Sequence, residues 1–109
     1  MSLTDQQVES EIQEKNLNAP RVTPTQIDAL MNNVTYKTHV VDGTTTTIAV
    51  AIMENGFSLA TGLSACASPE NFDAELGAKI AVDDAAKKAR DELWKLEGYR
   101  LKRNLEEAA

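Results

Sequence analysis

Residues Thr44–Ala67 read TTTTIAVAIMENGFSLATGLSACA, and this stretch decides the fold. Thr44–Met53 is rich in β-branched side chains, which suit an extended, pleated backbone and crowd a helix. Asn55-Gly56 stands between two alternating apolar runs, the strongest short signal for a hairpin turn. Phe57–Ala67 then returns as a further strand. Upstream, Val34–Val41 (VTYKTHVV) alternates with period two and ends at Asp42-Gly43, a second turn pair. Together these runs predict a three-stranded antiparallel meander. Ile48, Val50 and Ile52 share one face of the middle strand, so that sheet face needs a cover.

The cover is downstream. Ser68-Pro69 can open a helix, with Ser68 as cap and Pro69 in the first turn. Asn71 is a second candidate cap, because Asp73 and Glu75 then place negative charge at the positive helix end. Phe72, Leu76 and Ile80 recur every four residues and read as large core positions. Ala81, Ala85 and Ala89 form a neighbouring small-residue row that permits close approach to a sheet or helix. Gly98 is a natural stop, after which Tyr99 and Leu101 can fold back. Near the start, Thr23-Pro24 with Gln26 predicts a capped short helix carrying Ile27, Leu30 and Met31. The order helix, three strands, long helix gives an α+β domain with the long helix on one sheet face. Residues 1–20 read as a flexible acidic arm, 21–101 as one domain and 102–109 as a C-terminal tail. The bare sheet face and the two edge strands suggest a homodimer.

The chain has 109 residues and a net charge of −6. That charge argues against DNA or RNA as a partner, since nucleic-acid binding needs basic patches. The balance is uneven. Lys87–Arg103 carries seven bases and three acids, so this segment is +4 and the remainder −10. A small anion near that helix is compatible with the pattern, as is a solvated face with i,i+4 pairs. Cys66 is the only cysteine, which fits a reducing compartment. No apolar run is long enough to span a bilayer.

No phosphate-loop motif, metal-ligand spacing or acid–base pair is present in the sequence. His39 reads as an exposed strand residue and Cys66 as an inert, buried one. Asp83-Asp84 and Asp91-Glu92 read as solvated helix positions. The expectation is therefore a binding protein without cofactor or metal, not an enzyme. The junction Ser64–Asp73 (SACASPENFD) is the exception to this blandness. It leads a strand into a helix start, where free N–H groups suit an anion. Asn71 and Asp73 there either contact a ligand or simply cap the helix.

Several separated motifs occur in order: Asn55-Gly56-Phe57, Ser64-Ala65-Cys66, Pro69 with Asn71-Phe72-Asp73, Gly77, and Trp94 with Leu96-Glu97-Gly98-Tyr99. In this the chain resembles, over Thr23–Leu101, the gp forty-nine type of small phage proteins. That family looks like the one containing the first type of Thoeris anti-defence protein. The resemblance implies a non-catalytic sponge that holds a cyclic ADP-ribose isomer, with cyclic oligonucleotides at separate sites in some relatives. It also implies a dimer or an assembly of dimers in the host cytoplasm, with pockets near the subunit interface. Carried over residue by residue, it assigns Asn71 and Asp73 to polar ligand contacts and Phe72 to packing beside the nucleotide or to the core. Lys88 or Arg90 would face a phosphate. The hairpin at Asn55-Gly56 lacks the decorations that some such proteins carry. A protein-interaction module that inhibits a host protein is the alternative, suggested by the acidic arm.

Overall fold

The computed structural model describes residues 3–109; Met1 and Ser2, the start of the expected arm, lie outside the described residues. The elements in order are α1 (Asp5–Glu14), α2 (Pro24–Met31), β1 (Thr35–Val40), β2 (Thr46–Ile52), β3 (Ser58–Ala65), a 3-10 turn (Pro69–Asn71) and α3 (Ala74–Ala108). The strands form one antiparallel sheet in the order β1-β2-β3. The fold is the expected α+β meander with a long C-terminal helix across it.

The middle turn forms where Asn55-Gly56 predicts it. Gly56 takes φ +88°, a conformation that a Cβ would strain. Its N–H donates to the Met53 carbonyl at 2.9 Å, and Asn55 Oδ1 accepts from the Phe57 N–H at 3.0 Å. Opposite this turn, β2 and β3 run in register from Thr46–Ala65 to Ala51–Ala60, with a bulge before Ile52.

Which faces are buried differs from the size-based expectation. Thr47, Ala49 and Ala51 lie beneath α3, and Ile48, Val50 and Ile52 point to the other face. On α3 the buried stripe is Gly77, Ala81, Ala85, Ala89 and Leu93. The row of large side chains expected in the core does not bury: Leu76 and Ile80 are about half exposed (55% and 49%) and Phe72 is half-buried. The reason is at Gly62 in β3. A Cβ there would stand 2.1 Å from the Ala81 carbonyl oxygen and 2.3 Å from the Ala85 nitrogen. Strand and helix meet backbone to backbone, and only small residues fit between them. Larger side chains are displaced to the flanks.

The ends of α3 also differ from expectation. Asp73, not Ser68 or Asn71, caps the helix, with its Oδ1 accepting from the Leu76 N–H at 3.0 Å. Pro69 opens the separate 3-10 turn instead. At the far end the helix passes through Gly98, which is not left-handed, and runs to Ala108 in place of a frayed tail. Ion pairs Glu97–Arg100 (2.9 Å) and Arg103–Glu107 (3.1 Å) span the last turns.

Within the segment read as an arm, α1 carries a full capping box: Thr4 Oγ1 accepts from the Gln7 N–H, and Gln7 Oε1 accepts from the Thr4 N–H. It is fastened to the body by Glu9–Arg21 (2.5 Å) and Asp5–Arg90 (2.7 Å).

Candidate functional site

The connection from β3 to α3 is built from short, local bonds. The Thr45 hydroxyl donates to the Cys66 carbonyl, and Cys66 Sγ donates to the Ser68 carbonyl at 3.1 Å. The Ser68 hydroxyl donates to Glu70 at 2.6 Å, which holds that carboxylate below its ordinary pKa. The Asn71 N–H donates to the Ser68 carbonyl at 3.0 Å, closing the 3-10 turn. Beside this loop lies a cleft of about 190 Å³, edged by Cys66, Asn71, Phe72, Asp73, Leu76 and Ile80. Its floor is open because residue 77 is glycine: a Cβ there would meet Thr47 Oγ1 at 3.0 Å and the Phe72 ring at 3.7 Å.

The structure brings Asn71, Phe72 and Asp73 together at this cleft. Asn71 is exposed, and among the described residues its side-chain amide has no intramolecular hydrogen bond, so it can turn to a ligand. Asp73 both lines the cleft and caps the helix. The two other predicted residues stand elsewhere. Lys88 and Arg90 follow Asp73 by four helical turns or more, roughly 22–26 Å along the axis. Lys88 pairs with Asp84 at 2.8 Å, and Arg90 bridges Asp5 (2.7 Å) and Asp28 (2.8 Å). Among the described residues of one chain, no cationic side chain lines the cleft.

Sequence reading missed the apolar wall of this cleft and, away from it, a partnered carboxylate. Leu76 and Ile80 form an apolar wall because the alanine row, one step around the helix, takes the core. Asp84, read as solvated, accepts from the Leu63 N–H at 3.0 Å and from Lys88 at 2.8 Å. Both bonds lower its pKa, that of Lys88 foremost. The Leu63 bond occupies a donor on the outer edge of β3, and no local pattern announces it.

Among the described residues, no group of three or more His, Cys, Asp or Glu is placed to hold a metal ion, and no helix is long and apolar enough to cross a membrane. The architecture is that of a small α+β protein with a pocket at a strand–helix junction. Residues 22–105 match the model of the Phage protein (N4 Gp49/phage Sf6 gene 66) family, and the chain belongs to that family. No curated protein and no solved structure matches the chain.

Proposed function

We propose that this phage protein is an anti-defence sponge that binds a nucleotide immune signal, a cyclic ADP-ribose isomer in the first instance, and keeps it without cleaving it. The observation that carries the reading is the junction cleft, built from the residues on which the family resemblance rests: Cys66, Asn71-Phe72-Asp73 and Gly77. Asn71 offers an unused amide for a base or ribose edge, Phe72 offers a ring, and Leu76 and Ile80 supply an apolar wall. These groups bind and orient; no nucleophile–base pair is assigned among them.

The cleft of one chain, about 190 Å³, is smaller than most small-molecule sites, which span roughly 300–1,000 Å³. It also lacks a cation for the phosphates. In this reading a second copy of the chain completes the pocket and neutralises the ligand, with Lys88 a better donor than the doubly paired Arg90. The host cytoplasm is the compartment where such a signal would be met.

The test incubates pure protein with cyclic ADP-ribose isomers, removes free ligand, then heat-denatures the protein and identifies what is released. The expected result is intact ligand recovered only after denaturation, a raised Tm, and loss of both in Asn71→Ala. A cleaved product, or no thermal shift with any isomer or cyclic oligonucleotide, overturns the reading. Inhibition of a host protein would then be the function to pursue.

A further inference from the structure

A larger cleft lies between α1 and α3, on a different set of residues from the junction. Its volume is about 410 Å³, within the range of small-molecule sites. Its walls are apolar: Val8 and Ile12 from α1, Val22 and Pro24 from the entry to α2, and Trp94 from α3. Its charged groups are carboxylates only, from Asp5, Glu9 and Asp91.

The charges are not equivalent. Glu9 is held by Arg21 at 2.5 Å, and Asp5 by Arg90 at 2.7 Å. Arg90 is also claimed by Asp28 at 2.8 Å. Asp91 has no ion-pair partner among the described residues. The lining thus carries three carboxylates, two of them paired with guanidiniums and Asp91 left without one. Both guanidiniums are already directed at carboxylates, and among the described residues no basic side chain lines the cleft. A cation finds Asp91 unpaired beside an indole, and an indole face attracts ammonium groups.

We propose that this cleft binds a small organic cation: an ammonium carried on an aromatic or aliphatic body. The ammonium sits at Asp91 and the body lies against Trp94, Val8 and Val22. This ligand class is opposite in charge to the one proposed for the junction cleft, and the two sites share no lining residue.

Trp94 is the only tryptophan in the chain and lines this cleft, so its emission is a probe of binding there. The full-length protein is titrated with phenethylammonium, with the neutral phenethyl alcohol and with the anionic phenylacetate. Calorimetry on the same three compounds covers binding that leaves emission unchanged. Saturable binding of the cation is expected, with the alcohol and phenylacetate weaker by about tenfold or more, the size of one close charge contact. Asp91→Asn, on an exposed helix face, is expected to weaken the cation about fivefold or more and to leave the alcohol unchanged. Three results overturn the proposal: no saturable signal by either method, phenylacetate binding as tightly as the cation, or undiminished cation binding by Asp91→Asn.

Discussion

Thr47 carries a hydroxyl into the interface between β2 and α3. The residue is 1% exposed and its Oγ1 has no hydrogen-bond partner among the described residues. An unmet buried hydroxyl costs about 1–3 kcal/mol, and an apolar replacement of the same shape recovers part of that. Thr47→Val is therefore predicted to raise the unfolding free energy by about 1 kcal/mol, read as a higher denaturant midpoint at unchanged slope. A fall would show that the hydroxyl has a partner in solution. Asp84 acts in the opposite sense, as a surface carboxylate with defined partners. Its pKa is lowered in the folded state by Lys88 and the Leu63 N–H. Its contribution is thus complete above its ordinary value of 3.8 and is lost as pH falls through the lowered one. Stability should decline more gently on acidification in Asp84→Asn than in the parent, as thermal melts from about pH 5 downward would show. Identical acid limbs would remove Asp84 from the account.

At the scale of elements, two glycines predict opposite outcomes. Gly62→Ala drives a methyl into the α3 backbone and should cost about 3 kcal/mol or prevent folding. A methyl added at Gly98 meets nothing within 4 Å, and the residue lies inside the helix. Gly98→Ala should stabilise by about 1 kcal/mol in chemical denaturation. Had the helix stopped there in a left-handed turn, the same change would destabilise, so its sign checks where α3 ends. The strands and the Asn55-Gly56 turn were legible because β-branched runs and turn chemistry act locally. The helix faces were not. Size favours burying Leu76 and Ile80, but the approach at Gly62 lies between elements distant in sequence and leaves room for alanine alone. Gly98 was ambiguous for a related reason: a lone glycine reads equally as a stop or as a tolerated interior residue. The Thr4-x-x-Gln7 cap of α1 was missed, because the polar composition around it reads as a flexible arm. At the site, Asn71, Phe72 and Asp73 could be placed together because they are contiguous. Lys88 and Arg90 could not, because helix phase alone does not say which carboxylates claim them.

The whole molecule measures 57 × 33 × 18 Å, with α3 along its length. One broad surface is the sheet face left uncovered by the helix. Register places Lys37, Val50 and Thr61 in one row across it, and His39, Ile48 and Leu63 in the next. Leu63 is 52% exposed. The proposed function calls for a second copy, and this bare face is where the sequence suggests a homodimer contact. Sedimentation is then expected to give at least twice the single-chain mass. Val50→Lys should yield one chain with an unchanged circular-dichroism spectrum, because the residue lies away from α3. A parent protein that sediments as one chain would dismiss the shared site.

The contact at Gly62 reaches beyond packing. Ala81 and Ala85 straddle it like teeth on a rack, so α3 cannot slide along β3 without steric collision. The strand end at Cys66 and the helix start at Asp73 are consequently held at a set separation, and the loop between them spans a gap already fixed by the frame. A guest arriving there would meet a cradle already in shape and would spend little of its affinity on rearranging it.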